Sequence, residues 1–272
     1  MDLPAVAWIA MTPVKGLRLH TVEEVELGVK GVVGDRAFFL ADDDGRMVSG
    51  TRLGPLVAVV AEHDAAAGTL SLCFPDGRVV AGEVALGAPE QVGFFGLTLD
   101  ARPVAGDFSA ALSEQCGQPL RLFEMPPQRG GIDRGNEGAA TLLGTASLEA
   151  LRAAAGIDEH VDARRFRMTF GVDGLAAHEE DGWIGREVRV GDALLRVEGN
   201  VGRCAFTTRN ADTGVVDFKT LHVLERYRGD LEATEPLPFG VHARVLAPGT
   251  VRAGDPVALA QVASPGLTMP DS

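Results

Sequence analysis

Turn chemistry punctuates this chain so densely that long regular helices have little room, and no other feature narrows the fold as much. Its 272 residues include 34 glycines and 15 prolines. Between the turns lie short apolar runs, at Ala5 to Met11, Phe38 to Ala41 and Val57 to Ala61. The run Phe38 to Ala41 ends in Asp42-Asp43-Asp44-Gly45, a hairpin signal leading back into Arg46-Met47-Val48. Leu70, Leu72 and Phe74 alternate before Pro75-Asp76-Gly77, after which Val79-Val80 returns. Alternation of period two places one set of side chains on one face of a strand. The uninterrupted run Val57 to Ala61 reads as a strand covered on both faces. Together these patterns predict a barrel- or sandwich-like amino-terminal half.

Two short helices interrupt the strands. Asp107 is placed to cap a helix from Phe108 to Cys116 with Gly117 as its stop. Leu148, Leu151 and Ala155 have helical spacing after Ser147 and end at Gly156. Val188 and Val190, the Gly191-Asp192 turn, then Leu195 and Val197 predict a hairpin, and Val251 to Val257 repeats the Gly-Asp pattern. The segment Pro126 to Gly138 lacks periodicity and reads as a connection. The fold class expected is mainly β, β-barrel-like with a few short helices. Residues 1–125 form one barrel-like domain, 126–138 the connection, 139–262 a second domain and 263–272 a disordered tail.

Charge excludes several functions. The chain carries 38 acidic and 25 basic residues, a net −13, which opposes binding to nucleic acid or to an anionic membrane. No apolar run approaches the ~18 residues of a membrane span. The start MDLPAVAWIAM has no basic segment ahead of its apolar run, and the three cysteines form neither a disulfide framework nor a CxxC site. A reducing, cytoplasmic setting is expected. The six histidines form no HExxH pair, and GxSxG, GxGxxG and Walker A sequences are absent, which removes the usual hydrolase and nucleotide-binding signatures. His178-Glu179-Glu180-Asp181 reads as an exposed acidic loop.

Cys204 is the residue with most chemical scope. Arg203 beside it and the loosened backbone at Gly202 favour a thiolate, which is a nucleophile or a soft metal ligand. Burial as a structural cysteine is the other reading of the same residue. Cys73 and Cys116 fall in strand and helix patterns and are expected to be buried. Arg186, Arg189 and Arg196 follow the strand alternation and read as solvated faces, whereas Arg164, Arg165 and Arg167 do not alternate and are candidates for anion recognition. Lys15 follows Pro13-Val14, and Asp35-Arg36 follows Gly34. Local spacing does not join Lys15, Arg36, Arg167 and Cys204 into one site.

In order along residues 5 to 258, the chain resembles the MOSC-domain proteins, with the two-part architecture of the amidoxime-reducing components and their bacterial relatives. The resemblance is carried by Pro13-Val14-Lys15-Gly16, Gly34-Asp35-Arg36, Ala146-Ser147-Leu148 and Ala163-Arg164-Arg165-Phe166-Arg167. Trp183-Ile184-Gly185, Arg203-Cys204, Asp212-Thr213-Gly214, Phe239-Gly240 and Pro248-Gly249-Thr250 continue it.

The resemblance implies a MOSC N-terminal β-barrel domain followed by a MOSC domain. It further implies a molybdenum cofactor of the molybdopterin type, with Cys204 as the metal ligand rather than a nucleophile. Lys15, Arg36, Ser147, Arg167, Thr169 and Arg203 match cofactor-binding positions. The implied activity is reduction of N-hydroxylated or N-oxide small molecules, with electrons from a separate flavin, haem or iron–sulfur protein. Pyridoxal phosphate binding lies within the family's range. Cys204 also suits a sulfur or cofactor carrier, or a scaffold that holds another anionic ligand without turnover. Relatives carry Lys-Ser where this chain has Lys15-Gly16, and Arg-Pro-Asn where it has Arg167-Met168-Thr169. They often carry a second cysteine two or three residues before the ligand, where this chain has Asn200-Val201-Gly202.

Overall fold

A computed structural model describes residues 3–127, 129 and 135–260. Its largest sheet has eight strands, in the order Val257–Leu259, Glu187–Val190, Ala193–Gly202, Pro238–Ala247, Ala140–Gly144, Phe170–Asp173, Ala5–Met11 and His20–Val22. Ala140–Gly144 and Phe170–Asp173 run parallel, so the chain must cross over between them. The helix α2, Thr145–Ala155, occupies that crossover, and Gly156 ends it with a left-handed backbone at φ 67°. Gly249–Arg252, Glu24–Gly28 and Gly31–Val32 form a small second sheet. Its Val251, Val25, Leu27 and Val32 share one core with Leu142, Phe170, Val188 and Val241 of the large sheet.

The other half is built on a five-stranded sheet in the order Glu90–Phe94, Leu97–Pro103, Arg121–Glu124, Phe38–Ala41 and Met47–Val48. A three-stranded meander, Val60–Asp64, Thr69–Cys73 and Val79–Glu83, completes it. Helix α1, Phe108–Cys116, inserts Phe108 and Leu112 into a core with Leu17, Phe38, Leu56 and Leu72. Gly117 stops α1 at φ 65°, as its sequence predicts, but the Asp107 side chain makes no capping bond. A third helix, α3 (Thr220–Arg228), has no counterpart in the sequence reading.

Several expectations are corrected. Val57 and Ala58 lie in a 3-10 helix, Gly54–Ala58, because Pro55 fixes a helical φ at its first turn; the strand begins at Val60. Gly249–Arg252 pairs with Glu24–Gly28, and Val257–Leu259 pairs with Glu187–Val190, so Val251 to Val257 is a connection between sheets and not a hairpin. Ala5–Met11 and Glu24–Gly28 pair with strands of the second half and share its core. Their partners lie far along the chain, which local pattern does not encode. Cys73 is exposed because it points away from the core face that Leu70 and Leu72 occupy. Cys116 is half-buried. His178 to Asp181 is not an exposed loop: Glu180 is 0% exposed within a 3-10 helix, Glu179–Trp183, and the His178 ring meets Tyr227. Within the expected connection, Gly135–Gly138 forms a 3-10 turn, while residues 128 and 130–134 lie outside the described residues, as does the tail 263–272.

Candidate functional site

A cleft between the halves gathers Lys15, Arg36, Arg165, Arg167, Arg203 and Cys204. Loops on both sides reach it by unusual backbone geometry. Five non-glycine residues among those described have positive φ, and two of them, Arg36 at 51° and Arg167 at 54°, line this cleft together with a third, Phe95 at 46°. Such conformations cost of order 1–3 kcal/mol each and concentrate where function requires them. The Arg36 amide donates to the Thr12 carbonyl at 2.7 Å and Lys15 to Phe38 at 2.8 Å, which fixes the two loops against one another. Asp35 accepts from the Thr12 amide at 2.9 Å and pairs with the Arg36 guanidinium. Arg36 also donates to the Arg167 carbonyl at 3.1 Å, and Arg167 donates to the Leu17 carbonyl at 2.9 Å. Each half therefore holds the other's cationic residue in position.

The charge in the cleft opposes that of the molecule. Among the described residues no Asp or Glu lines it, although the chain as a whole carries −13. Lys15 and Arg36 are nonetheless buried. The Lys15 ammonium lies 5.4 Å from the Phe95 ring centre, and Arg167 lies 4.8 Å from that of Phe206. Cys204 is exposed in the cleft, in extended conformation at the start of the 3-10 helix Ala205–Thr208, and its carbonyl accepts from Thr207. Anions and a soft metal suit this donor set; a carboxylate-bound hard cation does not.

The residues singled out by sequence divide into two groups. Lys15, Arg36, Arg167, Arg203 and Cys204 converge. Ser147 and Thr169 do not line the cleft. Ser147 is 0% exposed; its hydroxyl donates to Glu180 at 2.8 Å and accepts the His178 amide at 2.9 Å. Thr169 is 1% exposed and faces Thr141, hydroxyl to hydroxyl at 3.1 Å. Both hydroxyls are engaged in buried polar pairs rather than facing the cleft. Arg203 is at the cleft wall, but it spends its donors on structure: Nε on the Phe239 carbonyl at 2.9 Å, Nη1 on that of Phe166 at 2.8 Å, and Nη2 on the Met168 sulfur at 2.9 Å. Arg165 is likewise committed to Asp217 at 2.6 and 2.9 Å. The departures from relatives are absorbed by packing. Gly16 has φ 94°, Met168 is buried beneath Arg203, and Asn200 donates to Asp181 at 2.9 Å.

Sequence reasoning missed Phe95, Ser49, Thr51 and Phe206, all of which line the cleft. Phe94 pairs with Leu97 across a two-residue Phe95-Gly96 turn, so a hairpin signal was present, although with an aromatic where Asn or Asp is usual.

Comparison with known proteins adds to this geometry. The model for the MOSC N-terminal beta barrel domain matches residues 3–119, and the model for the MOSC domain matches residues 130–258. Mitochondrial amidoxime-reducing component 1 of Mus musculus is 28% identical over 287 residues, which cover 93% of this chain and 82% of that protein. Its counterpart in Homo sapiens is 27% identical over 283 residues, with the same coverage of 93% and 82%. The YuaD protein from Bacillus subtilis, a solved structure, covers 94% of both chains at 12% identity with a TM-score of 0.43. With two family models in tandem across nearly all of its length, this chain is a MOSC-domain protein carrying a MOSC N-terminal beta barrel domain, similar to the mitochondrial amidoxime-reducing components.

Proposed function

We propose that the cleft holds a molybdenum cofactor of the molybdopterin type and that the protein reduces N-hydroxylated or N-oxide substrates. The observation that carries this proposal is an exposed thiol facing a cluster of cations contributed by both halves, with no carboxylate among the described residues that line the cleft. That donor set fits the group, since a pyranopterin bears an anionic phosphate and its metal is a soft-ligand centre. The relatives' name, amidoxime-reducing component, supports the reaction class.

Cys204 Sγ would ligate the metal, while Lys15, Arg36 and Arg167 would hold the anionic part. When bound, the cofactor supplies a two-electron centre for cleavage of an N–O bond. Arg36 and Arg167 keep their left-handed loops locked together, so their guanidinium groups need no reorganisation on binding. Arg203 holds the turn at Phe166 to Met168 through the Phe166 carbonyl and the Met168 sulfur, while Arg165 is tied to Asp217. Ser147 and Thr169 take no part in cofactor contact. The overall change consumes two electrons and two protons, breaks the N–O bond, and releases the amine or amidine with water. No CxxxxCxxC cluster motif occurs in the sequence, so a separate flavin, haem or iron–sulfur protein would deliver the electrons.

The test is the molybdenum content of protein purified from a host that makes the cofactor, with Cys204→Ala and Arg167→Gly alongside. Glycine at 167 removes the charge and keeps the left-handed backbone accessible. Molybdenum near one per chain in the wild type, strongly reduced in both variants, is expected. A metal-free wild type beside a loaded relative overturns the proposal. A mass increment of one sulfur atom on Cys204 would then favour a sulfur carrier.

A further inference from the structure

The outer face of the large sheet carries another cavity, of about 830 Å³, which shares no lining residue with the cleft. A volume of this order suits a small organic molecule. Its floor is laid by an irregularity in strand pairing. Val6 and Ile9 of Ala5–Met11 both enter the core, although strict alternation sends residues three apart to opposite faces. The register against Phe170–Asp173 shifts between Val6 and Trp8, so Ala7 is an added residue and Trp8 is turned to the outer face. Gly171 stands opposite, and a Cβ there would lie 2.1 Å from the indole. The ring therefore lies across the strand in the space a side chain would take. It is half-buried, and Leu148 of α2 adds to the apolar wall.

Most of the charge around this floor is already matched. The Arg164 guanidinium is held by Asp162 at 2.6 Å and by Asp212 at 2.9 Å. Glu149 accepts from Arg152 at 2.7 Å and lies 3.5 Å from His160. The amino end of α2, which would otherwise attract an anion, is taken by Glu180, whose carboxylate accepts the Gly144 amide at 3.2 Å. Asp173 is the exception. Its side chain is exposed, and among the described residues it accepts only the Thr145 hydroxyl, at 2.8 Å, with no Lys or Arg paired to it. Phe170 and Val172 fill the core, so Gly171 and Asp173 face outward. Asp173 thus projects from the face on which the indole lies, about 7 Å along the strand from Gly171.

We infer that this cavity is a binding site for small organic cations, an ammonium group on an apolar body, seated on the Trp8 indole and paired with Asp173. Tryptophan offers a cation the most favourable aromatic face, and a carboxylate beside it supplies a charge partner. A neutral molecule of the same shape would forgo both contacts. An anion would meet Asp173, with Glu149 and Asp162 on the same wall. The cleft lined by Lys15, Arg36 and Arg167 repels the ligand that this cavity attracts, so the two sites take opposite charges.

Calorimetry and tryptophan emission read the cavity without turnover and without a loaded cleft. The full chain is titrated at pH 7 and low salt with benzyltrimethylammonium and, separately, with benzyl alcohol, its neutral counterpart. One cation per chain is expected, with a Kd of about 0.1–1 mM and at least about tenfold weaker binding of the alcohol. The emission of Trp8 should follow the same isotherm, since Trp183, the other tryptophan, is 4% exposed in the core. Asp173→Asn keeps an acceptor for Thr145 and removes the charge. It should weaken the cation about tenfold and leave the alcohol within about twofold. Trp8→Leu should weaken the cation to a similar degree, and Asp173→Asn keeps the test decisive if that variant does not fold. Glu149→Gln, whose charge Arg152 already matches, should leave affinity within about twofold. Absence of saturable binding up to about 10 mM, or equal affinity for the alcohol, overturns the inference. So does an affinity unchanged in Asp173→Asn, or a loss in Glu149→Gln as large as that in Asp173→Asn, which would show diffuse attraction to an acidic surface.

Discussion

Replacing Arg203 by Ala is expected to lower stability by about 2–4 kcal/mol, although the residue sits at the cleft wall and half-faces solvent. The guanidinium bridges two backbone segments, donating to the carbonyls of Phe166 and Phe239 and to the Met168 sulfur. Phe166 and Phe239 are buried, so each carbonyl left unpaired costs roughly 1–3 kcal/mol. Water entering from the cleft returns part of this, which places the two carbonyls near the lower end of that range. The guanidinium also lies 5.3 Å from the Phe166 ring centre, a contact of about 0.5–1 kcal/mol. Lys at this position keeps the charge but lacks the planar fork, so Arg203→Lys should lose about half as much. Urea unfolding at neutral pH measures both variants, and their midpoints should order as wild type, Lys, Ala. An Ala variant within about 0.5 kcal/mol of the wild type, with an unchanged denaturant slope, would refute a bridging role.

Gly16→Ser, which restores the residue relatives carry, should destabilise this chain by about 1–3 kcal/mol, because φ is 94° and a Cβ would stand 3.3 Å from the Gly50 amide. A fall of several degrees in melting temperature is expected, and an unchanged value would show that the loop adapts. Burial pushes the Glu180 carboxyl up from its ordinary value of 4.5, against the bonds from Ser147 and Gly144 that favour its charged form. The folded state therefore holds this proton more tightly than the unfolded state, so the contribution is complete below about pH 4.5 and is lost as pH rises through the folded value. Glu180→Gln should remove that loss: stability relative to the wild type rises between pH 5 and 8 in thermal unfolding, and a constant difference across that range would refute it.

The parts of the fold legible in sequence were those encoded locally. Phe38 to Ala41 with its Asp-rich turn, Leu70 to Phe74, and the two glycine-stopped helices all appear where their patterns place them. What local pattern hid was partnership across the chain. Ala5–Met11 reads correctly as a strand, yet its partner Phe170–Asp173 lies more than 150 residues away, in the other half. Ser147 and Thr169 look like hydroxyl anchors until Glu180 and Thr141 are found opposite them. Lys15, Arg36, Arg167 and Cys204 were joined only by the family resemblance, because no spacing rule connects four loops from two halves. Phe95 was missed for a different reason: its turn carries an aromatic where Asn or Asp is usual, which masked the hairpin signal, and its conformational penalty becomes visible only when φ is known.

Arginine's abundance has a structural cause that its usual association with phosphate recognition obscures. Four arginines bind backbone carbonyls between the halves: Arg18 to Asp212 at 2.6 Å, Arg36 to Arg167 at 3.1 Å, Arg167 to Leu17 at 2.9 Å and Arg209 to Thr51 at 2.9 Å. The loops they join have no regular ladder to satisfy their carbonyls, and a planar fork with five donors can serve several acceptors at once. Lysine would reach one acceptor at a time, with more freedom lost per bond. The same bonds explain how cations are held together where no carboxylate lies among the described residues of the wall. Of these four, Arg36 and Arg167 line the cleft, and each is oriented there through a carbonyl dipole; Arg36 also pairs with the buried carboxylate of Asp35, and Arg18 with the exposed one of Asp212 at 3.4 Å. Mutual repulsion within the cleft is thereby opposed by bonds that hold the two halves together. An anion entering between them would relieve that repulsion, so binding and closure of the interface should reinforce one another.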